Sequence, residues 1–420
     1  MNNDIYKSSR ICYIIEETIA YLITILISGA YLARLTSALG FSDSLTALLG
    51  SFVNLGCIFQ LLALTVFSRG RVKRKATILY IINHLLFMLL YIVPFFKINP
   101  TIKAILFSSF LLGGYFIFNI VFSPKTNWFM ALIPDNQRGS FTALKEGISL
   151  VSGMAFNFTM GMLIDHYAAI GNTAASFALC GVTIFVLIIA HTLSLLLAKE
   201  KEPEKTVNSS EPSGIKDILR DKNVSSIIIL SALWSICNNL CTPFLGTYQI
   251  KELGFSMTFV AVLSVVYAVV RIIASIFLGK YADRNSFAKM LKICYFLIAA
   301  SFIAISFTKP SNGYVMFTIY QIFTAAAMGG INSAEINLVF DYVSPAKRTN
   351  ALAIRQTIYG LCGFFATLIV TPLVNYIQAS GNKLLGIPVY AQQVLAFISL
   401  VLTVILIFYV GKIANRYKTT

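Results

Sequence analysis

Long apolar stretches dominate the sequence, and each is about as long as an α-helix that crosses a lipid bilayer. Such a crossing takes roughly 20 apolar residues, and the 420-residue chain contains twelve runs of this kind. The predicted spans are Ile11 to Ala33, Ser44 to Phe67, Ala76 to Phe96, Lys103 to Ala131, Ser140 to Ile164, Ala174 to Leu197, Val224 to Tyr248, Met257 to Gly279, Met290 to Phe307, Tyr314 to Phe340, Asn350 to Val370 and Tyr390 to Val410. Because strands of a membrane barrel alternate over about 10 residues, the pattern predicts an all-α integral membrane protein with twelve transmembrane helices.

The basic residues are distributed unevenly along this predicted topology. The chain is 57% hydrophobic and carries a net charge of +16, which could indicate a nucleic-acid partner. Most Lys and Arg residues, however, lie in the tails and in the even-numbered connections. Those in the odd-numbered connections are Arg34, Lys97, Lys103, Lys251, Lys309 and Lys383. Basic residues mark the cytoplasmic side of a membrane protein, so both termini are expected in the cytoplasm. The plasma membrane is the expected location, and lipid rather than nucleic acid is the expected neighbour.

Several kinds of chemistry have no support in the sequence. The seven cysteines are scattered through apolar helices without metal-ligand spacing, and their number is odd, so they are predicted to be packing residues. No glycine-rich phosphate-binding loop appears, which argues against an ATP-driven pump. No Ser-His-Asp or metal cluster indicates an enzyme. The chain is therefore predicted to have no catalytic activity, no metal and no cofactor.

The two halves of the sequence resemble each other. Leu39-Gly40-Phe41-Ser42 recurs as Leu253-Gly254-Phe255-Ser256, 214 positions later. Segment 125–128 aligns with 335–338, and segment 134–139 with 344–349, both at 210 positions. Three echoes in the same order indicate parallel repeats. The predicted organisation is an N-terminal six-helix bundle over residues 1–198, a polar cytoplasmic linker over 199–223 and a C-terminal six-helix bundle over 224–420.

Parallel six-helix halves joined by a polar linker resemble the major facilitator superfamily. Segment 279–284, Gly-Lys-Tyr-Ala-Asp-Arg, is similar to the G-x-x-x-D-R motif between helices eight and nine of that family. The resemblance implies that Asp283, followed by Arg284, caps the start of helix five and pairs with Arg138. In the first-half copy Arg69 replaces the acidic residue, so the cytoplasmic latch is expected to be one-sided. The family places helices three and six outside the cavity, so His84 and His191 receive no proton-transfer role.

Eight ionisable residues fall inside the predicted spans, where an unpaired charge is costly. They are Glu16, Glu17, Lys125, Lys145, Glu146, Arg271, Glu335 and Arg355. Lys125 and Glu146 lie at similar depths on adjacent antiparallel helices, and so do Glu335 and Arg355. We expect each pair to form an ion pair that braces the cytoplasmic half of the pathway as part of the gate, together with Lys145. A purely structural bridge between helices is the alternative.

Two groups of residues are candidates for the solute and for a coupling proton. Arg271 lies near the middle of the membrane and suits a carboxylate or phosphate; pairing with Glu335 is the alternative. The further substrate-binding candidates are Glu335, Asn127, Asn337, Asn238, Asn239 and Trp234. Glu16 or Glu17 could carry a proton, unless both are hydrated at the membrane interface.

The function predicted from these features is secondary active transport of a small polar or anionic organic solute by alternating access, with H⁺ or Na⁺ as coupling ion and a monomeric protein. Efflux of hydrophobic compounds by a multidrug antiporter is the second interpretation. Lipid handling or sensing on the same scaffold is a third, because a fold alone does not fix a function.

Overall fold

The computed structural model describes residues 5–67, 71–134, 138–200, 220–343 and 345–416, and almost all of them are helical. The helices are α1 (Lys7–Leu26), α2 (Gly29–Ala38), α3 (Asp43–Gly50), α4 (Phe52–Gly56), α5 (Ala63–Val66), α6 (Val72–Leu90), α7 (Pro100–Met130), α8 (Arg138–Ala169), α9 (Thr173–Leu197), α10 (Lys222–Asn239), α11 (Thr242–Thr247), α12 (Met257–Arg284), α13 (Phe287–Ser306), α14 (Gly313–Tyr342), α15 (Pro345–Ala379) and α16 (Ala391–Arg416). The 3₁₀ segments are Cys57–Leu62 and Val93–Phe95, and Tyr248–Glu252 is a π-helical turn. A short antiparallel hairpin, β1 (Lys383–Leu384) and β2 (Ile387–Pro388), precedes α16. The predicted all-α class is confirmed.

Within the described ranges, nine helices are long and apolar enough to cross a membrane, and the bent pair α1 and α2 makes a tenth span. The other two predicted spans are helical but differ from a simple apolar rod. The second is divided among α3, α4, a 3₁₀ segment and α5. The third corresponds to α6, which carries Lys73, Arg74 and Lys75 near its start. These basic residues are costly inside hydrocarbon, so the start of α6 belongs at the membrane surface.

Two helices are interrupted at equivalent places in the two repeats. The first break follows α1 at Ile27, and the chain bends by 42° into α2. The second precedes α11 at Cys241, which lies 214 positions later. Gly29 has φ of +53° after the first break, a value that glycine adopts at little cost. Pro243 is the second residue of α11, directly after the second break, whereas α7 continues through Pro124.

The described chain forms two compact units. The first comprises Met1–Ser42, Gly56–Thr206 and Ser256–Ala261, and the second comprises Asp43–Leu55, Val207–Phe255 and Val262–Thr420. Each unit therefore contains one short segment from the opposite half of the sequence. The predicted bundle boundaries at 1–198, 199–223 and 224–420 remain a prediction.

Aromatic stacking organises the core of the first unit. The rings of Tyr13 and Phe129 are parallel with centroids 4.5 Å apart, and Trp128 stacks on Phe129 at 4.3 Å. In the second unit Trp234 packs against Tyr295 at 5.6 Å. The cysteines pack as predicted: six of the seven are buried, Cys362 is partly buried, and none is in a disulfide.

Candidate functional site

The first unit contains a cluster of charged side chains from four helices. On α1, Glu16 and Glu17 both approach the ammonium of Lys125 on α7, with Nζ 3.1 Å from Oε1 of Glu16 and 2.5 Å from Oε1 of Glu17. Lys145 on α8 reaches the other oxygen of Glu17 at 3.3 Å. Glu16 is fully buried, and the Lys125 side chain is 1% exposed. Together with His191, whose contact with Glu16 is given in the next paragraph, these four residues are called the charge cluster.

Two buried histidines, for which the sequence predicted no role, lie at this site, one within the charge cluster and one packed against it. His191 on α9 places Nε2 3.2 Å from Oε2 of Glu16. The His84 ring on α6 meets the His191 ring edge-on, with centroids 4.6 Å apart. Among the described residues, both ring nitrogens of His84 lack a hydrogen-bond partner. The available signal in the sequence was the presence of imidazoles in otherwise apolar helices, because histidine is a common proton carrier.

The charges of the cluster sum to zero when both glutamates are ionised, both lysines are protonated and His191 is neutral. One added proton leaves a net charge of +1 in a site where Glu16, Lys125 and His191 are buried, while Glu17 is 20% and Lys145 15% exposed. Tyr80 and Tyr13 line the site, with the Lys125 ammonium 5.0 Å from the Tyr80 ring and the Lys145 ammonium 4.9 Å from the Tyr13 ring. Aromatic faces stabilise cations in such a place. Binding or release of a proton therefore changes the net charge of the cluster.

The predicted pairing of Lys125 with Glu146 is wrong. Lys125 contacts Glu16 and Glu17 instead, while the Glu146 side chain is exposed. Helix geometry explains the difference, because consecutive residues point about 100° apart and Lys145 rather than Glu146 faces the cluster. A lysine at each of these two positions cannot form a pair, so the Glu17 carboxylate lies between them.

The predicted pair of Glu335 and Arg355 in the second unit is confirmed. Arg355 Nη1 lies 2.9 Å from Glu335 Oε2 and donates to the Ser231 hydroxyl at 3.3 Å. Arg355 is equivalent to Lys145, and Glu335 to Lys125, at 210 positions. Ser231 is equivalent to Glu17 at 214 positions. In the second repeat, Arg355 and Glu335 pair directly, and the neutral Ser231 hydroxyl is sufficient beside them. In the first repeat, both equivalent residues are lysines, and the Glu17 carboxylate bridges them.

Arg271 on α12 has no carboxylate partner among the described side chains. Its side chain is half-buried, and Glu335, its predicted alternative partner, is occupied by Arg355. Nearby, α14 approaches the backbone of α12 directly at Gly329. A Cβ added at Gly329 would lie 2.9 Å from the Arg271 carbonyl oxygen. The backbone around Arg271 is therefore packed closely against α14.

The neutral candidates have different environments. Asn127 is exposed, and Asn337 donates to a carbonyl of its own helix. Asn239 is buried, where it accepts from Asn54 at 2.8 Å and donates to the Ser235 carbonyl at 2.9 Å. One of these bonds joins α10 to α4, and the other lies within α10. The other two candidates follow: Asn238 is half-buried and Trp234 is 1% exposed in the core.

Backbone carbonyls freed at the two helix breaks are already hydrogen-bonded. Tyr91 donates its hydroxyl to the Leu26 carbonyl. Thr242 donates to the Asn238 carbonyl at 2.9 Å, and Thr367 to the Asn239 carbonyl at 3.0 Å. The breaks therefore shape the helices, and their carbonyls are satisfied by protein hydroxyls rather than left for a ligand.

The predicted cytoplasmic latch lies largely outside the described residues. This applies to Arg69 and to the side chains of Asp283 and Arg138. Arg284, at the end of α12, is exposed. Its predicted role in gating remains a prediction.

Comparison with known proteins identifies the architecture. The family model described as Major Facilitator Superfamily matches residues 17–367, while no curated protein matches the sequence significantly. The chain is similar in structure to a mutant of the nucleoside transporter NupG, at a TM-score of 0.75 and 12% identity over 96% of this chain and 99% of the other. It is similar to a D-xylose-proton symporter at 0.69 and 13% identity, over 95% and 96%. It also resembles a bacterial homologue of the human lysosomal transporter Spinster at 0.66 and 14% identity, over 98% and 96%.

Proposed function

This chain belongs to the Major Facilitator Superfamily and transports a small solute across a membrane, and we propose that its solute is a small organic anion whose movement is coupled to protons. The observation that carries this proposal is Arg271. A half-buried arginine in a membrane-spanning helix, without a carboxylate partner in the described part of the chain, is expensive unless a ligand supplies the negative charge.

The chemistry of the guanidinium narrows the class of solute. Arginine presents a planar fork of donors that binds a carboxylate or phosphate through two parallel hydrogen bonds. Arg271 lies near the middle of α12, the depth at which transporters of this architecture hold their solutes. The half-buried Asn238 on α10 is an additional candidate contact for polar groups of the solute.

Coupling to protons is assigned to the charge cluster. Glu16 is the candidate proton carrier, because it is fully buried and shares its carboxylate between Lys125 and His191. Protonation of Glu16 would remove its ion pair with Lys125, which would then pair with Glu17 alone. The packing of α1 against α7 and α9 would change as a result. One structural relative is described as a proton symporter, which is compatible with this assignment. At 13% identity, the similarity shows a shared fold.

The proposed setting of the protein follows from the distribution of basic residues. We place it in the plasma membrane as a monomer with both termini in the cytoplasm, since the basic connections lie on that side. Under this orientation, the ends of α8 and α15 and the starts of α3 and α12 lie on the outer side.

A ligand panel tests the identity of the solute. Purified protein is heated with carboxylates, phosphate esters, nucleosides, sugars, peptides or hydrophobic cations, and the unfolding temperature is recorded. A true ligand at about 100 times its Kd stabilises the folded state by about 2.7 kcal/mol. We expect a carboxylate or phosphate compound to raise the unfolding temperature of wild type.

The variants of Arg271 make this panel specific. We expect R271Q to abolish the stabilisation and R271K to retain part of it, because lysine keeps the charge but not the fork. The control variant K309Q removes an exposed positive charge in a connection and should respond like wild type. Stabilisation by hydrophobic cations only would overturn the proposal in favour of drug efflux.

A further inference from the structure

The carboxylate of Asp165, near the end of α8, caps the first turn of α12. Its oxygens accept from the backbone N–H of Met257 at 3.0 Å, the N–H of Thr258 at 2.7 Å and the Thr258 hydroxyl at 2.6 Å. The first N–H groups of a helix have no partner within it and carry partial positive charge. Asp165 therefore binds the start of α12 through three charge-assisted hydrogen bonds.

A glycine one turn earlier on α8 permits this contact. A Cβ added at Gly161 would lie 2.8 Å from the Met257 carbonyl oxygen, which is closer than a side chain tolerates. Residues 161 and 165 lie on the same face of α8, since they are four positions apart. Close backbone approach and capping thus occur together at this end of α8.

The second repeat contains the equivalent contact. Asn375 on α15 lies 210 positions after Asp165, and Ser44 on α3 lies 214 positions before Thr258. The Ser44 hydroxyl donates to the amide oxygen of Asn375. The same two spacings relate the repeats elsewhere in the sequence, so the two contacts are related by the internal repeat rather than by coincidence.

A further carboxylate strengthens the second contact. Asp43, which precedes Ser44 in α3, accepts from Lys251 Nζ at 2.6 Å and from Gln378 Nε2 at 2.7 Å. Gln378 lies three positions after Asn375 on α15. Asp43 is 3% exposed, whereas the Lys251 side chain is 27% exposed. The two bonds of Asp43 hold α3, α15 and the segment before α12 together.

Each contact joins segments from opposite halves of the sequence. Segment 43–55 follows the first copy of Leu-Gly-Phe-Ser, and segment 256–261 begins with the last residue of the second copy. Each is grouped with the compact unit of the other half. The helix ends involved lie away from the basic connections, which places them on the outer side in the proposed orientation.

We propose that Asp165 with Thr258, and Asn375 with Ser44 and Asp43, form an outer latch that holds the transport pathway closed at this end. The inference rests on the proposed transport function and its orientation. Alternating access requires the latch to break when the pathway opens outward. The Asp165 contact is the stronger of the two repeat-related pairs, because an ionised carboxylate accepts shorter and stronger hydrogen bonds than a neutral amide.

Labelling of a cysteine placed behind the latch tests this inference. Asn157 lies two turns before Asp165 on the same face of α8 and is 6% exposed. In N157C, a membrane-impermeant maleimide applied to intact cells should react slowly. D165A removes three hydrogen bonds, which water replaces in part when the contact opens. We expect it to raise the rate on the order of tenfold, through a shift of the open-closed equilibrium. S44A should add a smaller increase.

Control variants keep this result specific. T159A removes an exposed hydroxyl of α8 that bonds only its own helix and should leave the labelling rate unchanged, and protein without N157C reports labelling of the native cysteines. If D165A does not fold, D165N, which keeps the shape and one acceptor oxygen, should give an intermediate increase.

The outcomes separate this inference from the proposed function. An unchanged rate in folded D165A or D165N, or an increase only when maleimide reaches the cytoplasmic face of inverted vesicles, would overturn the outer latch. The labelling needs no solute and no proton gradient, so a failed ligand panel would leave the latch result intact.

Discussion

Replacement of Lys125 by methionine should destabilise the protein more than any other single change in the charge cluster. Lys125 is the shared partner of Glu16 and Glu17 and is 1% exposed. Removing one partner of a buried ion pair costs roughly 3–5 kcal/mol, because the remaining charge stays buried without compensation. The measurement is thermal unfolding of purified K125M beside wild type and the control K97M, which removes an exposed lysine.

A double variant distinguishes charge from packing as the cause. E16Q/K125M removes one charge of each sign, so Glu17 and Lys145 remain as a balanced pair at 3.3 Å. We expect this variant to recover part of the stability that K125M loses. If the double variant is as unstable as the sum of its single variants, the loss reflects packing and the charge-balance explanation is incorrect.

Replacement of Glu16 by glutamine should uncouple solute movement from the proton gradient. Glutamine keeps the shape of the side chain but cannot exchange a proton, while His191 and Lys125 keep a polar neighbour at 3.2 and 3.1 Å from their side-chain nitrogens. We expect E16Q proteoliposomes to lose gradient-driven accumulation of the ligand found in the panel, down to the level of protein-free liposomes. Exchange of internal for external ligand should continue, since exchange needs no net proton movement.

A conservative variant provides the comparison for this result. E16D retains a carboxylate and should keep part of the gradient-driven accumulation. Wild-type accumulation in E16Q would assign the proton to another group, and loss of both accumulation and exchange would indicate a structural role of Glu16.

The sequence was sufficient for the architecture because membrane crossing imposes a strict length and polarity on each helix. The apolar runs, the repeat and the motif around Asp283 predicted the fold class, and the family match over residues 17–367 agrees with it. The prediction was less accurate where a helix is interrupted. The breaks at Ile27 and Cys241 depend on backbone geometry that an apolar run of sequence does not reveal.

Pairing of charges was predictable only in part, and the reason is rotational. Depth along the membrane can be counted from the sequence, and it correctly brought Glu335 to Arg355. Which face a residue occupies depends on the rotation of each helix, and an error of one residue exchanged Glu146 for Lys145. Comparison of the repeats at 210 positions would have avoided this error, because Arg355 aligns with Lys145.

The outer latch and the position of the histidines could be recognised only from the tertiary structure, for a different reason. Asp165 and Thr258 are far apart in the chain, and neither belongs to a recognisable motif. His191 acquires significance only because α9 packs beside α1 at Glu16. Contacts between distant helices decide both cases, and local sequence patterns do not reveal which residues meet.

The most direct test of proton-coupled anion transport is the movement of protons themselves. Wild-type protein is reconstituted into liposomes that contain a pH-sensitive dye, and the anion identified in the panel is added outside without an imposed proton gradient. We predict a ligand-dependent change of the luminal pH in wild type, acidification for co-transport with protons and alkalinisation for exchange, abolished in E16Q and in R271Q. A lumen that stays at constant pH while labelled ligand enters would contradict proton coupling through the charge cluster.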